Sequence, residues 1–393
     1  MEQARLQPMV KTAAPTVAVR AARLFFLDHL RAALVILVVL HHIAVIYGAS
    51  ALFYYVEPPF NDPVASMGFL VFVLFNQAWF MGALFLISGY FTPGSFDRKG
   101  SSSFLGGRLL RLGVPLLVFT FVLAPISALG FWRMPASITG ITSPPTWQAY
   151  PSLIGLGPMW FVALLLVFDV GYTIWRGLTA KRAPATSHES SPPGYLGLGL
   201  FIVVLALASY LVRLVIPLGK DVLGFPTLAY LPEYLSFFIV GIIALRRNWF
   251  RTLPGSMGVV GFVVAVVASV VLFPLALSDI ATAQPAGFVG NGTWQSAVYA
   301  LWDSLFAVGM TLAALVFFRR FLNKESRFGT FLSQQSYAVY VIHTPIIVYL
   351  AIALQRVDLR PLVKFGLMSV IAIPLCFVLA YLIRKIPGVS RIL

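Results

Sequence analysis

The chain is built from repeated apolar runs of membrane-spanning length. A helix needs roughly 20 mostly apolar residues to cross a bilayer core. Ten segments meet that requirement: 24–47, 68–91, 109–131, 154–175, 196–216, 227–245, 255–277, 295–318, 331–353 and 362–383. Each is expected to be an α-helix, because a segment in lipid must satisfy its own backbone hydrogen bonds. Only 10% of the residues are charged, against about 25% in an ordinary soluble domain. The expected fold class is therefore an all-α polytopic membrane protein with about ten transmembrane helices and the lipid bilayer as its solvent. The first run follows a basic stretch, as in a secretory leader. It carries Asp28, Arg31, His41 and His42, however, and it is long enough to span, so it reads as a working helix.

The net charge of +15 lies in short clusters between the apolar runs and not on one face, which argues against a nucleic-acid partner. With the N-terminus in the cytoplasm, twenty of the 28 Lys and Arg fall in inside segments and six outside, while Arg31 and Arg111 lie within spans. That asymmetry follows the positive-inside rule and puts both termini in the cytoplasm. The expected organisation is a cytoplasmic tail 1–23, a transmembrane domain 24–383 and a cytoplasmic tail 384–393. A cytoplasmic linker, 176–195, separates the first four helices from the last six. The chain ends at its last helix, so any extracytoplasmic partner domain is expected on a separate chain. The outer loop 132–153, rich in Pro, Ser and Thr, reads as a cover or a connector. Cys376, the single cysteine, sits in an apolar run and fits packing. No disulfide, metal site or permanently bound cofactor is expected.

Ionisable side chains inside a bilayer are costly and mark function by default. At 100° per residue, Asp28, Arg31 and His42 share one stripe of the first helix, and His41 lies about 100° off it. The stripe favours His42 over His41 as the working imidazole. Arg31 and His42 stand roughly 16 Å apart along the axis, so one suits the cytoplasmic end and the other the outer half. An Asp28–Arg31 ion pair with His42 bonded to a neighbouring helix is the plainer alternative. Ser336, Tyr340 and His343 share a face of the ninth helix, as substrate contacts or as helix-to-helix bonds. Ser88 and Gly89 permit close packing or close approach of a ligand. Arg108 and Arg111 stand at the cytoplasmic end of the third helix, where guanidinium groups suit phosphate. Glu233 and Asp303 are acids near outer helix ends, placed to orient a histidine or to sit at the interface.

These residues give the chain its resemblance to the acyltransferase 3 family of bacterial membrane proteins, and to its branch of periplasmic glucan succinyltransferase-like proteins. Leu27-Asp28-His29-Leu30-Arg31, followed after ten residues by His42, is similar to the family's first-helix motif. Phe85 to Phe91, including Ser88 and Gly89, resembles the end of its second helix. Arg108, Arg111 and Pro115 resemble its Arg-x-x-Arg…Pro segment, and Pro158-Met159-Trp160-Phe161 its Trp-Phe motif. Glu233 to Gly241 and Ser336 to His343 match two later helices.

The resemblance implies a bacterial inner-membrane O-acyltransferase. It would move an acetyl, succinyl or similar group from cytoplasmic acyl-CoA, a donor substrate, to a hydroxyl of an extracytoplasmic glycan or glycosylated acceptor. His42 would be the general base, Arg31 and Asp28 would be the other catalytic residues, and His41 is a secondary candidate. Arg108, Arg111, Ser88, Gly89, Trp160, Tyr340 and His343 would bind substrate, and Glu233 is a further candidate. A transporter or flippase for a glycan or lipid is the alternative, and the absence of a visible internal repeat counts against it. A purely structural membrane component would not need the His–Arg stripe.

Overall fold

The computed structural model describes residues 24–48, 51, 53–57, 62–179, 190–282 and 285–393. The expected tail 1–23 and half of the linker, 180–189, lie outside the described residues. Ten helices are long and apolar enough to cross a membrane. We label them α1 (Phe25–Gly48), α2 (Pro63–Lys99), α3 (Ser101–Arg133), α4 (Trp160–Thr179), α5 (Tyr195–Arg213), α6 (Leu231–Arg247), α7 (Gly255–Ala276), α8 (Trp294–Phe321), α9 (Arg327–Leu354) and α10 (Pro361–Arg384). No strand occurs among the described residues. Residues 176–179, expected in the linker, form the last turn of α4.

Contacts between helices fix their relative directions. On α1 and α9, Arg31 meets Ser333 and His42 meets His343, so these two helices run parallel. On α2 and α6, Gly82 meets Glu233 and Gly89 meets Phe238, and this pair is also parallel. On α7 and α8, Gly258 faces Val316 and Gly261 faces Gly309, an antiparallel pair. Spans of equal parity are parallel and neighbours in sequence are antiparallel, which is what ten successive crossings require. The end of the bundle where α1 begins and α10 ends carries the basic clusters; we call it the basic face.

Small residues set how closely α2 and α6 approach. A Cβ on Gly241 would collide with Leu86 O and lie 2.8 Å from Tyr90 N. The opposing Gly89 would meet the Phe238 backbone. Close approach of this kind supplies van der Waals contact where lipid offers no hydrophobic drive.

Helix α3 is irregular for an identifiable reason. Pro115 and Pro125 lack an N–H, so the carbonyls four residues earlier, at Arg111 and Phe121, lose their helical donors. The chain runs through two π-helical turns there, Leu109–Gly113 and Phe119–Leu123. Tyrosines from other segments supply the missing donors. Tyr337 of α9 donates to Arg111 O at 2.7 Å, and Tyr150 donates to Phe121 O at 2.6 Å.

Two cations expected in outer segments are instead buried in ion pairs. Arg213 is the last residue of α5, pairs with Asp303 of α8, and lies between the rings of Tyr230 and Tyr299, 4.9 and 5.2 Å from their centroids. Lys364, in the first turn of α10, pairs with Glu57. A carboxylate partner is what makes burial of either cation tolerable.

Replacing Gly241 with Leu forces α2 and α6 apart. The expected destabilisation is about 1–3 kcal/mol, the usual scale for overpacking, read as a lower thermal midpoint in detergent.

Candidate functional site

The seam between α1 and α9 carries most of the residues picked out by sequence. At its basic end, Arg31 Nη2 lies 3.3 Å from Asp28 Oδ1 and donates to Ser333 O at 3.3 Å. At its far end, His42 meets His343, with Nδ1 of the first 3.3 Å from Nε2 of the second. Arg31 and His42 share the seam without touching. His41 points away, buried and stacked on Phe80 of α2 with centroids 5.2 Å apart.

Hydrogen-bond partners fix the histidine tautomers. His343 Nδ1 is 2.7 Å from Tyr340 O, which can only accept, so Nδ1 carries the proton and Nε2 presents a lone pair. His42 Nδ1 is 2.8 Å from Val38 O, so it too carries the proton, shared between that carbonyl and His343 Nε2. His42 Nε2 is left with its lone pair. His343 is fully buried, whereas His42 keeps partial exposure. Phe53, from the segment after α1, lies against the His42 ring with centroids 4.9 Å apart. A neutral imidazole held by its Nδ1–H, with a free Nε2 at a partly open position, has the form of a general base.

A cleft of about 450 Å³ enters from the basic face along this seam. Five arginines line it: Arg31, Arg108, Arg111, Arg384 and Arg391. Ser88, Ser336, Tyr337 and Tyr340 line it further in. Tyr340 donates to Pro158 O and packs beside His343, with ring centroids 6.0 Å apart. The cleft reaches Val35, leaving His42 about 10 Å further along α1. Residues 390–393, within the expected cytoplasmic tail, line the cleft wall, where Leu393 O accepts from Arg384 Nε at 3.0 Å.

The arginines differ in how they are held. Arg108 Nε lies 3.1 Å from Asp169 Oδ2 of α4, and its Nη2 donates to Thr92 Oγ1 at 3.2 Å. Thr92 in turn donates to Asp169 Oδ1 at 3.1 Å. Arg111 and Arg391 pair with no carboxylate among the described residues. Their charge remains available to an anion.

Several sequence candidates fall elsewhere. Gly89 packs on α6 and not on the cleft. Trp160 is buried one residue from the cleft-lining Phe161, stacked on Tyr234 at 5.4 Å. Glu233 is buried against Gly82 of α2, and Asp303 pairs with Arg213, so neither orients a histidine. Sequence reasoning passed over Asp169, although it is the single charged residue in the run 154–175, and an intramembrane acid is a signal in itself. Thr92, Tyr337 and the carboxyl-terminal residues gave no comparable signal, because their roles arise from packing. No group of three or more metal-ligating side chains occurs among the described residues.

Fold and site together define a multi-pass membrane protein with a cationic cleft leading toward a paired-histidine centre. The chain belongs to the acyltransferase 3 family: the family's sequence profile, described as an acyltransferase domain, matches residues 24–381. It is a membrane acyltransferase. It is 26% identical over 352 residues to Glucans biosynthesis protein C of Salmonella schwarzengrund (strain CVM19633), covering 84% of each chain. The protein of the same name from Salmonella typhi matches at the same identity and coverage, and that from Salmonella paratyphi B (strain ATCC BAA-1250 / SPB7) is 25% identical over 351 residues. No solved structure matches the chain significantly.

Arg108 and Arg111 are expected to separate in stability. Arg108→Ala strands the fully buried Asp169 without its partner and is expected to destabilise by about 3 kcal/mol. Arg111→Ala removes an exposed side chain whose backbone bond to Tyr337 survives, at a cost within about 0.5 kcal/mol. Thermal unfolding of the two variants checks the difference.

Proposed function

We propose that this protein is an O-acyltransferase that carries an acyl group from acyl-CoA at the basic face to a hydroxyl of a glycan or glycosylated acceptor at the opposite face. The observation that carries the reading is the arginine-lined cleft that ends at Tyr340, about one helical turn short of the His343 that meets His42. Coenzyme A is polyanionic, and guanidinium groups bind phosphate in a forked geometry. Its pantetheine arm is a long, thin chain, able to extend from the end of the cleft at Tyr340 toward His42. The family membership supports acyl transfer, and the similarity to Salmonella proteins named for glucan biosynthesis supports a glycan acceptor.

In this reading His42 Nε2 takes the proton of the acceptor hydroxyl as the oxygen attacks the thioester carbonyl. The tetrahedral intermediate collapses with cleavage of the carbon–sulfur bond. The CoA thiolate then takes the proton back from the imidazolium, leaving an ester and free CoA. His343 Nε2, accepting from His42 Nδ1–H, stabilises the imidazolium charge as it develops. Arg31, held by Asp28, and Arg108, held by Asp169, grip the donor. The excess of Lys and Arg at the basic face supports a cytoplasmic location for it, in the inner membrane of a bacterial cell.

The test compares mass spectra of envelope glycans and secreted glycosides from cells with the wild-type protein, without it, and with His42→Ala at matched expression. General-base catalysis is worth about 10²–10⁴-fold. The deletion and His42→Ala are therefore both expected to lose the mass of one acyl group. His41→Phe, which keeps the stack on Phe80, is expected to retain it. A deletion phenotype fully rescued by His42→Ala would overturn the role of His42.

A further inference from the structure

A second cavity, of about 510 Å³, opens on the face opposite the basic one, between the end of α3 and the connection to α4. Its lining includes no Asp, Glu, Lys or Arg, yet it is rich in hydroxyls and backbone polar groups. Thr139, Thr142, Ser143 and Ser152 contribute hydroxyls, and Phe131 and Trp132 contribute aromatic surface. Trp132 is fixed in place: its Nε1 donates to Ser143 O at 2.8 Å, tying the wall of the groove to its rim. With its only polar atom committed, the indole presents a flat apolar face beside hydroxyl groups. That pairing suits a sugar ring, which has an apolar C–H face and an equatorial rim of hydroxyls. With no cation in the lining, an acidic ligand finds no ion-pair partner there and gains nothing over a neutral one.

The groove also connects to the reaction centre. Phe131 packs near Tyr54, Tyr54 on Phe53, and Phe53 on His42, with ring centroids 6.1, 5.2 and 4.9 Å apart. Two rings thus stand between the groove and the base. A sugar on Trp132 and a hydroxyl at His42 Nε2 would belong to different units of one chain.

From this geometry we infer that the groove lined by Trp132, Thr142 and Ser143 binds an uncharged oligosaccharide and holds one sugar unit of an extended acceptor while another unit meets His42. Its role as an acceptor site rests on the acyl-transfer reading; its ligand chemistry does not.

The test measures binding in the absence of any donor. The full chain in lipid nanodiscs, free of sugar-headed detergent, is titrated with a linear glucose hexamer, with glucose, and with a glucuronate hexamer. The glucose hexamer is expected to bind, and the monomer and the acidic hexamer are expected to bind at least about tenfold more weakly. Trp132→Ala is expected to weaken hexamer binding about tenfold, with Trp132→Phe restoring most of it. Thr142 is exposed and outside the Trp132–Ser143 contact, so Thr142→Trp fills the groove while leaving its wall anchored; it is expected to abolish binding even if Trp132→Ala misfolds. Hexamer binding unaffected by Thr142→Trp, preference for the acidic hexamer, or no hexamer binding at all would each overturn the assignment. A wild-type chain that binds the hexamer in this groove but transfers nothing in the glycan mass spectra would support the site and overturn its acceptor role.

Discussion

A bilayer core offers no water to satisfy a polar group, and the whole architecture answers to that constraint. It is clearest on α3, where Pro115 and Pro125 each release a carbonyl. Tyr337 and Tyr150 reach across from other segments to take them up. The released carbonyl at Arg111 lies beside the cleft, so one tyrosine hydroxyl both repairs the helix and ties α3 to α9 where the arginines gather. The same demand governs Arg213, which is held by Asp303 and enclosed by two tyrosine rings. It also governs His42 and His343, whose Nδ1 atoms are each bound to a carbonyl of their own helix. A site assembled this way is stiff, because every rotation of a polar side chain would expose an unpaired group to hydrocarbon.

That stiffness separates two adjacent histidines. Neighbours on a helix point about 100° apart, so His41 and His42 face different helices. His42 falls on the α9 seam, where His343 completes its hydrogen bonds. His41 falls on α2, where it stacks on Phe80 and its Nδ1 finds no hydrogen-bond partner among the described residues. The stripe of Asp28, Arg31 and His42 was legible in the sequence because helical periodicity alone determines it. The partner that gives the stripe its chemistry was less so, since His343 lies 301 residues away and meets His42 only through the parallel packing of α1 and α9.

The ten spans were legible for a comparable reason. Apolar length is a local property, and expected and observed helices coincide within a few residues except at α2 and α3, whose helices run well past the expected spans on the basic side, and at α4, which begins six residues later than expected. What the sequence hid were features that depend on a partner. Arg213 and Lys364 look like loop cations until Asp303 and Glu57 are found beside them. Glu233 and Asp303 look available to a histidine until Gly82 and Arg213 are seen to hold them. Gly89 sits in a motif that suits either a ligand or a helix, and only the position of Phe238 decides for the helix. Residues 390–393 carry no signal at all, yet they complete the cleft by folding onto Arg384.

Parallel packing of α1 and α9 has a chemical consequence. Both helices start at the basic face, so Arg31 of α1 and the polar first turns of α9 lie together at the cleft, and both histidines lie together well inside. On the proposed reading the cleft must be wet enough to admit a polyanion but must not deliver water to the reacting thioester, since water would compete with the acceptor hydroxyl. The structure meets that requirement by ending the open cleft at Tyr340 and Val35 and by interposing the Tyr340–His343 contact before His42. Phe53 covers the same imidazole from the other side. On the same reading, a thin arm from one face and a sugar hydroxyl from the other would each displace an aromatic contact that water gains nothing by displacing. Selectivity for transfer over hydrolysis would then follow from apolar cover around a single free imidazole nitrogen.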